Sequence, residues 1–377
     1  MPFDPDNNTF LLAGPVKMHA RVLRAMSKPA IAHRDPGFQD VNRRMQERLR
    51  EVFQTAAPVV TLAGSGTAGM DAAALSLLKK GEKAVALANG KFGDRFATLA
   101  GTYGDATVLK AEWGQPIDLA EIEATVARVK PKAVFLTHNE SSIGFTHPLE
   151  RIAKIAHDHG ALLVADCITS IGGMDVPVDK WGVDVAIVGS QKCLGMPSGL
   201  VFVSANERAQ AAMHKENGYY LNLLRYVKKA AENDTPFTPA IPLHLAAIEA
   251  LDIIHDQGLQ NRIATVRKQA DATRAAFEAM GLQLFVPQGY RSDTVTAVRY
   301  PQGVDDSKTR KWLKERNVVI AGGQDAVKGV IFRLGHMGTV STEELFGGIA
   351  AVERALLANG ASVKKGAFAE AFAQLAP

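Results

Sequence analysis

The chain has 377 residues, 47% hydrophobic and 22% charged, enough apolar material for one large core plus a smaller one. Net charge is only +4, with basic residues spread through predicted helices rather than gathered in runs, which excludes an electrostatic nucleic-acid or membrane-surface binder. Two cysteines, Cys167 and Cys193, lack CxxC spacing, so no disulfide framework or structural zinc is expected and a reducing, cytoplasmic setting fits.

The opening MPFDPDNNTF is acidic and polar, without the basic and apolar regions of a secretion signal. No stretch approaches the roughly 20 apolar residues a bilayer span needs. From about residue 40 to 205, short apolar runs alternate with amphipathic stretches. The runs are PVVTLAG (58–64), KAVALAN (83–89), KAVFLTH (132–138), ALLVAD (161–166), DVAIVG (184–189) and GLVFV (199–203). Most are uninterrupted rather than alternating, which predicts strands buried on both faces. Helical patterns over 68–79, 119–129 and 149–159 lie between them, and this βαβα order predicts a largely parallel sheet covered by helices. Helices are then expected over 244–256 and 262–280. A second pattern comes next: TVTAVRY (294–300), a helix over 307–316, VVIAGG (318–323), VIFRLG (330–335) and a helix over 342–359. It reads as a smaller α+β unit. The tail after Gly360 is open between helix and frayed end.

Three segments carry candidate chemistry. GSGTAG (64–69) joins an apolar run to a helical pattern, so backbone amides and the helix dipole would face an anion there, with Ser65 and Thr67 adding hydroxyls. The same segment also reads as a plain turn; it is neither a P-loop nor a GxGxxG dinucleotide motif. Asp166 ends a buried apolar run, where a lone carboxylate is costly unless paired; capping the next turn is the bland alternative. Lys192, in GSQKCLG, stands just past another run, at the same end of the sheet and 26 residues beyond Asp166 (192 − 166). Alone it would read as a surface lysine. Together, an anion cradle, a strand-end acid and a strand-end lysine are the three attachments that pyridoxal 5′-phosphate (PLP) requires for its phosphate, ring nitrogen and aldehyde.

These segments join FLLAGPVKM near the start, VFQT (52–55), ANGKFGDR (88–95), LTHNESSIGFTHPL (136–149), TPAIPLHLAAIEAL (238–251) and FRLGHMG (332–338). In order and spacing they resemble, nearly end to end, the class V (fold type I) aminotransferases of the alanine–glyoxylate, serine–pyruvate and serine–glyoxylate group. The resemblance implies an α/β chain of the PLP-dependent transferase fold type I. Its large PLP-binding domain would span 15–257 around a mostly parallel seven-stranded sheet. A smaller C-terminal α+β domain would span 258–377 together with 1–14.

Residue by residue, the resemblance implies Lys192 as the Schiff-base lysine and catalytic base, and Asp166 as the partner of the pyridine nitrogen. Ser65, Gly66, Thr67 and Gln191 would hold the phosphate. Phe92 would stack on the ring, where many relatives have Trp, and Ser142 rather than Ser141 would lie beside the phenolic oxygen. Thr238 would reach the phosphate of the neighbouring subunit, making a homodimer; Thr235 stands where some relatives carry a Tyr. Arg333 would grip the substrate α-carboxylate, with Gly14 also at the substrate site. His33, Arg34 and His336 read as functional or as capping or interface residues, the latter reading preferred for His336. No metal is expected.

The implied reaction is a ping-pong transfer of an amino group from a small L-amino acid (alanine, serine or aspartate) to a 2-oxo acid such as glyoxylate or pyruvate. No second basic clamp for a dicarboxylate is evident. A cysteine desulfurase would need a thiol far along the chain, and none occurs after Cys193. A 2-aminoethylphosphonate transaminase would need further cations. A non-catalytic phosphate-binding α/β protein would have no use for Lys192 with Asp166.

Overall fold

The computed structural model describes Asp4 and residues 7–375. Residues 1–3, 5, 6, 376 and 377, parts of the predicted smaller domain, lie outside the described residues. A short strand β1 (Thr9–Leu11) and helices α1 (Ala20–Met26) and α2 (Pro36–Phe53) lead in. Strands and helices then alternate: β2 (Val59–Ala63), α3 (Gly66–Leu77), β3 (Lys83–Ala88), α4 (Lys91–Tyr103), β4 (Asp105–Lys110), α5 (Leu119–Val129) and β5 (Ala133–Thr137). A two-strand ribbon, β6 (Asn139–Glu140) with β7 (Phe145–Thr146), interrupts this order before α6 (Leu149–Asp158). Strands β8 (Leu162–Asp166), β9 (Val185–Gly189) and β10 (Leu200–Ala205) complete a seven-stranded sheet in the order β2-β10-β9-β8-β5-β3-β4. Every pairing is parallel except those of β10, which runs antiparallel to β2 and β9.

The uninterrupted apolar runs have a direct cause. Side chains alternate across a strand, and here both faces are covered. Val134 and Leu136 of β5 enter one core with Ala186 and Val188 of β9. Ala133 and Phe135 enter the other with Val185 and Ile187. Each residue of β5, β8, β9 and β10 is buried. Strand β4 was not predicted. It lies at the sheet edge, and only one neighbour and one covered face leave it with the polar-rich sequence DATVLK and no fully buried residue.

Helices α7 (Glu207–Ala212) and α8 (Leu223–Ala230) return across the sheet, and α9 (Ile241–Gln257) breaks at Gly258 before α10 (Leu259–Ala279). Then come β11 (Val295–Arg299), α11 (Asp306–Lys314), β12 (Val318–Gly322), β13 (Ile331–Gly335), α12 (Thr342–Ala358) and α13 (Ala367–Ala373). Their sheet has the order β1-β12-β13-β11, with β1 parallel to β12. The tail left open by the sequence folds back as α13, burying Phe368 and Phe372 in the core beneath this second sheet.

The first turn of helix α3 stands beyond the end of β2, so the seating of α3 on the sheet fixes where that turn lies. The helix lies flat on the sheet through Gly69, where a Cβ would fall 2.5 Å from Val201 Cγ2 and 2.7 Å from Ile187 Cγ2. Gly69→Val should therefore lift α3 off β9 and β10, at a cost of about 2–3 kcal/mol in an overpacked core. Denaturant midpoints of the variant and the parent read this directly, and an unchanged midpoint would contradict the packing described.

Candidate active site

Four loops leave the carboxyl ends of β2, β5, β8 and β9 on one side of the large sheet, where α/β folds place ligands. At the first, the chain turns at Gly64 (φ +155) and enters α3. Ser65 is the N-cap in extended conformation, yet its hydroxyl does not cap its own helix. No described residue accepts from the Ser65, Gly66 or Thr67 amide, so the first turn presents its donors outward. Gly66 has no room for a side chain: a Cβ would sit 2.9 Å from Ile168 Cγ1. Arg95, from α4, donates through Nη1 to Thr67 Oγ1 at 2.9 Å and lies 5.0 Å over the Phe92 ring. Ser65, Thr67, Phe92, Asp166, Gln191 and Lys192 all line one cavity of about 220 Å³. The buried Gln191 Oε1 has no hydrogen-bond partner there.

Asp166 ends β8 at 3% exposure. It accepts from Ile168 N at 2.9 Å and Thr137 Oγ1 at 3.1 Å. Burial pushes its carboxyl up to about 7, the Glu140 charge adds to the rise, and the two hydrogen bonds and Lys192 oppose it. Lys192 sits in the loop after β9. That loop is pinned by Ser190, whose hydroxyl donates to Pro197 O at 2.6 Å, and by Arg262, which donates to Cys193 O at 2.6 Å. Lys192 Nζ donates to Ala13 O at 2.6 Å. Gly14 (φ +91) makes this approach feasible, since a Cβ there would lie 2.5 Å from Nζ. Burial lowers the Lys192 amine to about 8, and the Arg333 and Arg95 charges act the same way.

Sequence reasoning overlooked Glu140, although it stands inside the quoted NESS run. Its side chain is fully buried and takes four hydrogen bonds. Oε2 accepts from Phe92 N and Gly93 N, each at 2.9 Å, at the start of α4, where the helix dipole favours an anion. Oε1 accepts from Ser142 N at 3.1 Å and Ser142 Oγ at 2.5 Å. Burial raises this carboxyl and its donors hold it down. The clamp fixes Phe92 in the cavity wall. It also turns the Ser142 hydroxyl away, so Asn139 and Ser141 line the cavity and Ser142 does not. Arg95 was likewise missed; the signal lay in the last residue of ANGKFGDR.

A second cavity, of about 380 Å³, adjoins the first and shares Phe92, Ser141 and Lys192 with it; Gly14 and Arg333 also line it. Arg333 is 5% exposed on β13 and donates to backbone oxygens only: Ser141 O at 2.6 Å, and Gly322 O at 2.7 and 3.1 Å. Burial lowers it to about 10. Nine of the predicted residues are thus brought together. Ser142 is adjacent but turned away, and Thr238 is exposed and lines neither cavity. Arg34 pairs with Asp234, Nη1 to Oδ2 at 2.6 Å, tying the half-buried His33 segment to the loop before Thr238. His336 neither caps a helix nor reaches the surface. It is 1% exposed, bonded to Thr296 Oγ1 at 3.0 Å and pushed to about 3 by burial. Cys167 and Cys193 are buried free thiols, both pushed up by burial, which suits neither to attack a substrate.

The raised Asp166 carboxyl has a consequence for stability. Ligand-free protein keeps that proton to about pH 7, whereas the unfolded chain releases it near pH 4. The folded state binds the extra proton, so its stability falls between about pH 4 and 7 and levels off above. Asp166→Asn removes the titration and should stabilise the ligand-free protein at pH 8 by roughly 4 kcal/mol, the gap closing toward pH 4. Urea unfolding across this range reads the gap, and a constant difference would refute the assignment.

Residues 17–342 match the family described as Aminotransferase class-V. An uncharacterized aminotransferase of Methanocaldococcus jannaschii is 39% identical over 375 residues, 97% of each chain. A serine–glyoxylate aminotransferase of Methylorubrum extorquens is 33% identical, covering 96% of this chain and 94% of its own. The crystal structure of a ureidoglycine–glyoxylate aminotransferase from Bacillus subtilis superposes with a TM-score of 0.94 at 31% identity and 98% coverage of both chains. No helix among the described residues is long and apolar enough to cross a membrane. Strand-end acid, lysine and anion cradle thus stand in a fold shared along the whole chain with transaminases, and this protein belongs to the class V aminotransferases.

Proposed function

We propose that the protein binds PLP in the 220 Å³ cavity and transfers an amino group from a small L-amino acid (alanine, serine or aspartate) to a 2-oxo acid such as glyoxylate or pyruvate. The observation that carries this reading is the placement of the buried Asp166 and the part-buried Lys192 in one cavity with the first turn of α3. The residues present fit the cofactor. The amides of 65–67 with the Ser65 and Thr67 hydroxyls suit its phosphate, and Arg95 supplies a cation beside Thr67. Gln191 lines the same cavity, and its side-chain N–H would donate to the phosphate. Asp166, costly as a lone anion, would be stabilised by a protonated ring nitrogen, and Phe92 offers a π-face. Asn139 and Ser141, rather than Ser142, would lie beside the phenolic oxygen.

PLP, when bound, supplies an aldehyde that links to amines and a pyridinium that takes up the electron pair left at the substrate α-carbon. Lys192 would hold it covalently through Nζ. Nζ, when free, would be the base that takes the substrate α-proton, and its lowered basicity leaves free amine near neutrality. Ala13 O orients this amine. Arg333, already held by three bonds to backbone oxygens, would present its fork to the α-carboxylate without rearranging. The donor would leave as an oxo acid with its amino group retained on the cofactor, and the acceptor oxo acid would then take that group up by the same proton transfers at Lys192 Nζ in reverse.

Three broader features belong to this reading. Large and small domains would divide at 257/258, supported by the break at Gly258 and by β1 joining the second sheet. A homodimer would bring the exposed Thr238 to the neighbouring cavity, and catalytically competent monomers in sedimentation would refute it. A cytoplasmic setting fits two free, buried thiols.

The reading is tested by absorbance. Purified protein given PLP should gain a visible band from the lysine link, and one amino acid should bleach it. Lys192→Ala should bind PLP without that band and lose at least about a thousandfold in turnover. Arg333→Lys should keep the band while KM for the donor rises roughly 30- to 100-fold. A protein that never takes up the band would refute the cofactor, and one whose band survives every amino acid would refute transamination.

A further inference from the structure

The cavity beside Lys192 holds a second guanidinium that the sequence did not reveal. Arg310, on α11, lines it together with Arg333. Both flank the same residue of β12. Arg333 donates twice to Gly322 O, at 2.7 and 3.1 Å, while a Cβ on Gly322 would fall 2.9 Å from Arg310 Nε. Glycine at 322 is therefore what lets Arg310 lie against the strand at this point. The Arg310 fork is held from behind. Asp306 accepts from Nε at 2.7 Å and from Nη2 at 2.6 Å, and Asp306 is itself fixed by the Tyr300 hydroxyl at 3.0 Å. Nη1 makes no hydrogen bond to any described residue. It is left as an oriented donor on a guanidinium whose side chain is 39% exposed.

The charge inventory of this cavity is lopsided. Its lining includes Lys192, Arg310 and Arg333, and no acidic residue. Gln324 lines it too, and its side-chain amide carries an N–H donor that a carboxylate can accept from. A single α-carboxylate answers Arg333 and leaves Arg310 and Gln324 without a ligand group. A donor with a methyl side chain would bring only an apolar surface toward them. A second carboxylate would gain a charge-assisted hydrogen bond from Arg310 Nη1 and a hydrogen bond donated by the Gln324 side-chain Nε2.

Resting on the transaminase reading above, we propose that Arg310, oriented by Asp306 and assisted by Gln324, forms a side-chain subsite that selects short dicarboxylic amino donors of the aspartate class. Arg310 is then a specificity-determining residue. The rival is a purely structural Arg310–Asp306 pair that ties α11 to β12.

The first readout is binding and needs no turnover. Succinate and propionate, dicarboxylate and monocarboxylate, are titrated into the PLP-loaded protein by calorimetry. Succinate should bind more tightly, and Arg310→Met should weaken it roughly 10- to 100-fold while leaving propionate within about twofold. The second readout is single-turnover bleaching of the band: Arg310→Met should lower kcat/KM for L-aspartate roughly 10- to 100-fold and leave L-alanine within about twofold. Because Arg310→Met leaves Asp306 without its partner, the double variant Arg310→Gln with Asp306→Asn is measured alongside. It removes both charges together and should show the same loss of selectivity. Equal losses on both donors, an aspartate rate unchanged by the variants, or parent protein that binds succinate no better than propionate would overturn the subsite. Failure to bleach with any amino acid would count against transamination instead, while succinate selectivity lost with Arg310 would still report the subsite.

Discussion

A buried carboxyl and a part-buried amine stand together at the carboxyl end of a mostly parallel sheet, and the arrangement of the site depends on them. Each group is expensive to desolvate as an ion, and the protein lets both move toward neutrality: Asp166 rises to about 7 and Lys192 falls to about 8. Full mutual neutralisation would leave a structural salt bridge with no use for a ligand. Instead Asp166 is tied to Ile168 N and Thr137, and Lys192 Nζ to Ala13 O, so each is restrained by its own neighbours. The pair is poised for a ligand that is cationic at one end and reactive toward amines at the other.

Much of the machinery exists to hold that arrangement still. The Lys192 loop is fastened by Ser190 and Arg262, and Val16 N donates to Gln191 O at 3.1 Å from the N-terminal segment. Arg262 is a buried cation satisfied mostly by carbonyl oxygens, Gly172, Cys193 and Gly338 among them, and so joins three stretches of chain distant in sequence. The second sheet takes part as well. β1 pairs with β12 and then delivers Ala13 and Gly14 to Lys192, and β13 delivers Arg333.

Where the free energy lies decides what the sequence revealed. The buried strands β5, β8, β9 and β10 were legible because two covered faces demand continuous apolar runs, and Asp166 and Lys192 stood out as ionisable groups just past such runs. β1 and β4 were not legible: one is three residues long and the other is a half-covered edge, so neither imposes a pattern. The resemblance reached nine site residues that the cavities unite, but it implied Ser142 rather than Ser141 beside the phenolic oxygen, whereas Ser141 lines the cavities and Ser142 does not. That choice depends on Glu140, whose oxygens capture the Ser142 hydroxyl and amide, a contact no spacing encodes. Arg310 escaped for a similar reason. Within DSKTRKWLK it is one of four basic residues of an exposed-looking helix, and only the β12 register, with Gly322 beneath it, distinguishes it from the rest.

Glu140 also shows how a site rich in cations avoids an unbalanced buried charge. Arg95, Lys192 and Arg333 converge on the two cavities, and Arg333 has only backbone partners. The Glu140 carboxylate acts to raise both Asp166 and Arg333, adding to burial at the carboxyl and opposing it at the guanidinium. It remains an acceptor for four donors and does not line either cavity. The same carboxylate therefore contributes to the electrostatics of the site and seats Phe92 at the start of α4. Its two duties are inseparable because both depend on the α4 N-terminus, which supplies the amides that make a fully buried Glu140 tolerable.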